Sequence, residues 1–322
     1  MAAFRFNFGG APAPPVAPAG AGGGAGGGRG AGAGAEAEAE AAAELPEAEA
    51  VPWARPARGA TWEAVAVAGG GGGGGGGLGG PPLELEKVVP PAGAEAAGGL
   101  GARGSSQRSD LVAGVYEGGF KAWECGTDLA RYVWARHGGA ASGGRGQGGG
   151  LRGRRVLELG CGHGLPGLAA VRLGAAVDFQ DYNREVILHA TQPNVRRNLA
   201  VWGEVEREGE TGFFAGPWSR LRELLPGGAY DAVLTAETIY DPAGHGALLD
   251  LVRHCLRPGG AALVATKAHY FGVGGGAAAF RLAAEERGWV CSTVEEWDDG
   301  CSNMRCVLRL DRRGGGSAPP VF

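Results

Sequence analysis

The stretch Val156-Leu157-Glu158-Leu159-Gly160-Cys161-Gly162-His163-Gly164 holds the residues best spaced for chemistry. A short apolar run ends in an acid and opens into glycines two apart. Glycine lacks Cβ, so the backbone turns sharply there and a ligand can lie directly against it. An apolar run bounded by glycine reads as a buried parallel strand, and Leu165 to Leu173 continues with helical spacing. A glycine turn between strand and helix is where an open α/β sheet holds a nucleotide-like cofactor. Asp181 closes the next apolar run, where a carboxylate accepts hydrogen bonds from ribose hydroxyls.

Gly162-His163-Gly164-Leu165-Pro166-Gly167 matches G-x-G-x-x-G. That match alone is a weak sign of a dinucleotide site. Together with Asp181 it indicates a ribose-bearing cofactor without choosing one. Three features choose S-adenosylmethionine over NAD. Glu158, two residues before Gly160, gives an acid-x-Gly-x-Gly-x-Gly form. A single sheet is expected here, without a separate substrate domain after it. Pro258-Gly259-Gly260 precedes a strand, a common methyltransferase arrangement. The Glu158 carboxylate either orients the loop or lies near the cationic methionine end. A glycine-rich turn in an α/β domain that binds nothing is the plain alternative.

The elements that must position these residues follow from periodicity and punctuation. A helix capped by Thr127 or Asp128 runs to about Ala135. Strands are expected over 155–159, 176–180, 211–215, 230–235, 261–266, 289–293 and 304–310. Helices are expected over 165–173, 184–202, 247–256 and 277–288, with a break near Gln192 imposed by Pro193. Alternating strands and helices imply a parallel sheet covered on both faces. The last two strands have no helix between them and pair antiparallel. The fold class is therefore a Rossmann-like, class I seven-stranded methyltransferase sheet with its last strand antiparallel.

The chain has 322 residues and 66 glycines, with a net charge of −4. Residues 1–104 hold six basic and ten acidic residues and carry all of that charge. Rich in Ala, Gly, Pro and Glu, they include an unbroken glycine run from Gly69 to Gly77. Such a composition buries too little apolar surface to offset ordering, so 1–104 reads as a disordered tail. A catalytic domain over 105–312 and a disordered end over 313–322 complete the expected organisation. The insert from Gly138 to Gly150 reads as floppy. The balanced charge beyond residue 104 lacks the basic footprint of a nucleic-acid binder, so no direct nucleic-acid contact is expected. No apolar run reaches the ~18 residues of a membrane span. The six cysteines form no C-x-x-C pair and fit no common zinc spacing; reduced thiols and no metal are expected.

Several longer motifs carry a resemblance. They are Ser109-Asp110-Leu111, Gly114-Val115-Tyr116-Glu117-Gly118-Gly119, Trp123-Glu124-Cys125, Phe179-Gln180-Asp181-Tyr182-Asn183, Glu237-Thr238-Ile239-Tyr240 and Lys267-Ala268-His269-Tyr270-Phe271-Gly272-Val273-Gly274-Gly275-Gly276. With the glycine loop and the opening Phe4-Arg5-Phe6-Asn7-Phe8, the chain resembles the histidine protein methyltransferase 1 homologs. The resemblance implies transfer of a methyl group to the tele (Nε2) nitrogen of a histidine in a large-subunit ribosomal protein. It also implies a cytosolic and nuclear, including nucleolar, distribution; a monomer is expected. The family's lysine-rich insert before the third strand is replaced here by a short, mostly acidic Gly203 to Glu210.

By the same similarity, Ala122, Trp123, Glu124, Cys125 and Gly126 form a wall of the cofactor pocket. A Trp123 face suits a sulfonium cation; a plain core aromatic is the alternative. Gly160, Gly162 and Gly164 give close approach to the methionine part. Asp181 binds the ribose diol with Gln180 and Tyr182 beside it. Gly216, Pro217 and Trp218 flank the adenine, unless Trp218 is only a packed loop anchor, and Ala236 completes the cofactor set. Glu237, Tyr240 and Asp241 are the catalytic candidates. Methyl transfer to imidazole needs a neutral ring with one free lone pair. A carboxylate accepting the Nδ1 proton leaves Nε2 free, and Glu237 is preferred to Asp241, whose position before Pro242 also suits a turn. Tyr240 stacks on or hydrogen-bonds to the ring. His269 and Tyr270 lie near the substrate mouth, while His163, His189, His245 and His254 read as surface or loop residues. A protein-lysine methyltransferase and a non-catalytic ribosome-assembly module are the competing functions.

Overall fold

Val156, Leu157 and Leu159 are fully buried, and Glu158 between them is 2% exposed. Only a strand covered on both faces buries every residue in succession. The computed structural model of the protein describes residues 46–54, 61–68, 83–89, 117–137, 150–204, 210–298 and 303–313. Its strands are β1 (Glu49–Ala50), β2 (Thr61–Ala68), β3 (Leu83–Val89), β4 (Arg155–Leu159), β5 (Ala176–Asp181), β6 (Thr211–Ala215), β7 (Tyr230–Ala236), β8 (Leu256–Lys267), β9 (Trp289–Trp297) and β10 (Arg305–Arg312). Its helices are α1 (Glu124–His137), α2 (Leu165–Arg172), α3 (Arg184–Val186), α4 (Gln192–Val201), α5 (His245–Cys255) and α6 (Ala277–Glu286).

One eight-stranded sheet runs β1-β6-β5-β4-β7-β8-β10-β9, and β2 pairs with β3 in a separate two-stranded sheet. The strands β6, β5, β4, β7 and β8 are parallel, whereas β10 is antiparallel to both β8 and β9. This is the class I methyltransferase plan expected from the sequence, with β1 added at one edge. Strand order reverses between β4 and β7, so a crevice opens beyond their carboxyl ends. The two faces are covered by separate apolar clusters, one built on α1, α2 and α4, the other on α5 and α6.

The expected break at Pro193 takes a specific form. Between α3 and α4 the chain makes a π-helical turn over Ile187–Thr191. Proline has no N–H for the carbonyl four residues back, and the wider turn carries the helix past that gap.

The expectation of a tail without structure up to residue 104 needs correction. Strands β1, β2 and β3 lie inside it. Val51, Val67, Leu83, Leu85 and Val88 are buried. Composition averaged over the segment hides Thr61–Ala68 and Leu83–Val89, two short runs of largely apolar and β-prone residues. Amide side chains of α4 receive their backbones. Asn198 accepts from Glu86 N (2.9 Å) and donates to Glu86 O (2.7 Å), and Asn194 accepts from Val88 N (2.6 Å). Gln192 accepts from Ala54 N (2.8 Å) and donates to Pro52 O (2.9 Å). The folded unit thus begins before residue 105. The opening Phe4–Phe8, the stretch from Ser109 to Tyr116, the insert 138–149, Cys301 and the 314–322 end lie outside the described residues.

Candidate active site

A cleft of about 390 Å³ opens over the turns that follow β4, β5, β6 and β7. Its floor is the glycine turn. Gly160 has φ +60, and a Cβ there would meet Thr238 Cγ2 at 2.5 Å. Behind the turn, Glu158 Oε2 accepts a hydrogen bond from Gly167 N at 2.7 Å. The carboxylate therefore orients the loop and the start of α2, the first of its two sequence readings. Burial pushes this carboxyl well above its ordinary range. Cys161 is buried against Thr191, with Sγ 3.4 Å from the hydroxyl.

Asp181 sits at the end of β5, 4% exposed and lining the cleft. Its Oδ2 accepts from Gly162 N (2.9 Å) and its Oδ1 from Asn183 N (3.0 Å). One carboxylate thereby ties the glycine turn to the turn after β5. Burial raises it to about 6, against the pull of those backbone donors. Its oxygens retain lone pairs for a diol.

Gln180 is fully buried and does not line the cleft. It is a staple: its Oε1 accepts from Gly160 N (3.3 Å) and Trp218 Nε1 (3.1 Å), and its Nε2 donates to Gly216 O (2.9 Å). Gly216 does not reach the cleft. A Cβ there would stand 2.6 Å from Ala48 Cα beside β1. Its neighbours Pro217 and Trp218 do line the cleft, as do Ala122, Trp123, Gly126, Gly162, Gly164, Tyr182 and Ala236. Cys125 is buried outside the lining, and Glu124 points to solvent with a 61% exposed side chain. Two ammonium groups already lie over the Trp123 ring, Lys121 Nζ at 4.3 Å and Lys267 Nζ at 5.8 Å from the centroid. Trp123 also donates from Nε1 to Gly118 O (3.0 Å).

The catalytic candidates separate. Glu237 follows β7, 9% exposed and lining the cleft. It is the one non-glycine residue with positive φ, +58, among the described residues. Its N–H donates to Ala265 O at 3.0 Å, which holds the turn. Tyr270 donates to Oε2 at 2.6 Å. Oε1 has no hydrogen-bond donor among the described residues; Lys267 Nζ stands 3.4 Å from it as an ion pair without hydrogen-bond geometry. Burial and the Glu237 charge push the Tyr270 phenol and the Cys125 thiol well up, so both keep their protons. Tyr240 donates to Glu117 Oε2 and meets Tyr270 edge-on at 6.4 Å. Asp241 lines the cleft but also caps the turn Pro242–Gly244, accepting from Ala243 N at 2.9 Å. That is its turn reading.

Sequence reasoning missed Glu117, Lys121 and Lys267. Glu117 and Lys267 lie in motifs noted for their resemblance, Lys121 falls just before one, and Lys267 ends a strand at the crevice side of the sheet, which was the available signal. Two histidines read as surface residues are buried. His163, 4% exposed, places Nε2 2.9 Å from Phe120 O and Nδ1 3.1 Å from Asn194 Nδ2. His245, 3% exposed, bonds Ile239 O through Nε2 (3.1 Å). Their rings find carbonyl and amide partners inside the protein, which a spacing argument cannot see. No group of three metal-ligating side chains occurs among the described residues, and no described helix is long and apolar enough to cross a membrane.

Sheet order and cleft together define a class I methyltransferase fold. Residues 113–271 match a family described as lysine methyltransferase. The histidine protein methyltransferase 1 homolog of Dictyostelium discoideum is 38% identical over 207 residues, covering 64% of this chain and 62% of its own length. That of Mus musculus is 40% identical over 219 residues, covering 61% and 57%. The chain is similar to these histidine protein methyltransferase 1 homologs, and it spans about 60% of their length. Among solved structures, the magnesium protoporphyrin IX methyltransferase of Synechocystis PCC 6803 with bound SAH is 17% identical, covers 58% of this chain and 82% of its own, and has a TM-score of 0.42.

Proposed function

We propose that the chain is an S-adenosylmethionine-dependent protein methyltransferase that modifies the Nε2 atom of a histidine. The cofactor supplies a methyl carbon on a positively charged sulfur. The residues of the cleft fit it in parts. Asp181 would receive the ribose diol, Pro217 and Trp218 would flank the adenine, the Gly160–Gly164 turn would lie against the methionine chain, and Lys121 would bring a cation for its carboxylate.

The observation that carries the histidine reading is Oε1 of Glu237, a buried carboxylate oxygen beside the cleft without a donor. A buried acceptor left unsatisfied costs about 1–3 kcal/mol, and an imidazole Nδ1–H would satisfy it. That bond selects the tautomer with its lone pair on Nε2. With the donor bound, Nε2 would be the nitrogen that accepts the methyl group, the electron pair of the broken C–S bond remaining on the donor's sulfur. Glu237 would take the Nδ1 proton as the methyl arrives, so that no net positive charge is left on the ring beside Lys267. Held in line, the attacking nitrogen needs about 3 Å to the carbon.

The substrate we propose is a large-subunit ribosomal protein, with the enzyme a monomer acting in cytosol and nucleus; the resemblance supports these points. Purified chain, labelled cofactor and large-subunit ribosomal proteins provide the test. Label should appear on a histidine ring nitrogen and vanish with Glu237→Ala. Label on a lysine amine, or no transfer at all, overturns the reading. The family description favours lysine as the second reading. A lysine enzyme speeds up toward the amine pKa of ~10.4, whereas a histidine enzyme levels off above ~7.

A further inference from the structure

Lys267 ends β8 and is 5% exposed. Buried lysines are rare without partners, and this one stands among acceptor-side groups. Its Nζ lies 3.4 Å from Oε1 of Glu237 and 3.4 Å from Oε2 of Glu124. The Trp123 centroid is 5.8 Å away. Register explains the placement. β7 and β8 run parallel, with Ala236 beside Ala265. The residue after Ala236 and the one two beyond Ala265 therefore meet at the crevice. On its other side Lys267 pairs with Arg305 of β10, whose guanidinium is engaged by Asp128 at 2.7 Å. Cys125 and Tyr270, the other titratable neighbours, keep their protons and add no charge.

We propose that Lys267 is a specificity-determining residue: its fixed ammonium cancels the charge of Glu237, so the acceptor subsite takes a neutral imidazole and rejects the ammonium of a lysine. The assignment rests on the reading of this cleft as a histidine methyltransferase site. A lysine acceptor arrives protonated. To be drawn in, it needs a carboxylate whose charge is not already matched. Glu237 alone would offer one; Glu237 beside Lys267 offers only an acceptor oxygen. A neutral ring needs no more than that oxygen. The rejection is thus electrostatic, by a like charge held in place rather than by size.

The test uses the full chain, S-adenosylmethionine and large-subunit ribosomal proteins as acceptors, with methylated residues mapped by mass spectrometry. Lys267→Met removes the charge. Lys267→Gln removes it while keeping a polar group beside Glu237, and Lys267→Arg keeps it. Calorimetric binding of S-adenosylhomocysteine, within threefold of wild type, reports that each variant is folded. Wild type and Lys267→Arg should mark histidine, and the two neutral variants should raise the lysine-to-histidine ratio at least tenfold. A histidine-marking wild type whose neutral variants keep the same residue preference overturns this assignment alone. A wild type that itself marks lysine overturns both this assignment and the reading beneath it.

Discussion

The Tyr270 hydroxyl donates a 2.6 Å hydrogen bond to Oε2 of Glu237, from a position 33 residues further along the chain. With Oε2 held this way, Oε1 stands 3.4 Å from Lys267 Nζ and has no hydrogen-bond donor among the described residues. Hydrogen bonds to charged groups contribute about 1.5–3 kcal/mol, or roughly 10–100-fold in rate if the bond is needed at the transition state. Tyr270→Phe should lower kcat by that factor and leave the affinity for S-adenosylhomocysteine unchanged. Steady-state kinetics beside calorimetry separates the two; an unchanged kcat would remove Tyr270 from the acceptor site.

Glu237 adopts a left-handed backbone, φ +58, which costs an L-residue about 1–2 kcal/mol. Glycine escapes that cost. Glu237→Gly and Glu237→Ala should both lose turnover, but the glycine variant should be the more stable by about 1 kcal/mol. Chemical denaturation of the pair decides it. Equal stabilities would mean that the turn relaxes when the side chain is removed.

Burial raises the Asp181 carboxyl from its ordinary 3.8 to about 6. Between those values the unfolded chain has released this proton and the folded chain has not. The group's contribution to stability is therefore full at low pH and falls as pH rises through the window, by about 3 kcal/mol at most. Ligand binding runs the other way, because ribose hydroxyls donate to the ionised carboxylate. Affinity for S-adenosylhomocysteine should climb from pH 5 to 7 and level off. Asp181→Asn should bind weakly, with no step near pH 6. Calorimetry at several pH values reads this, and a wild-type affinity that is flat across the step would remove Asp181 from the ribose site.

Asn194 joins the N-terminal hairpin to the cofactor turn, accepting from Val88 N at 2.6 Å and donating to His163 O at 2.9 Å. Asn194→Ala leaves a buried N–H without its acceptor, at about 1–3 kcal/mol. Leu85→Ala removes fully buried volume from the same hairpin, at about 2–5 kcal/mol. Burial lowers the His163 pKa, so the neutral ring's contribution is present above the ordinary histidine range and lost as pH falls. A chain begun at residue 105 should melt below one begun at residue 46 and bind S-adenosylhomocysteine more weakly. Thermal denaturation of the two chains is the check; equal melting temperatures would make the hairpin an accessory.

The amino-acid sequence by itself determined the parallel sheet, because Val156–Leu159 and its counterparts are apolar runs punctuated by glycine and proline. It also determined the glycine turn after β4 and the acid that ends β5, since a sharp turn and a strand end need particular residues at fixed local spacing. Pro193 announced an interruption for the same reason: its missing N–H is a property of one residue. What only the tertiary structure decided are the pairings between distant segments. Glu158 is bound to the start of α2, Gln180 staples the turns after β4 and β6, His163 is buried against Asn194, and Lys267 meets Glu237 where two strands end side by side. The hairpin inside the glycine-rich segment belongs to this second group. Its few apolar residues carry no decisive signal alone and become ordered against the amides of α4. Local pattern encodes backbone conformation and burial; the partner of a buried polar group depends on which strands lie adjacent.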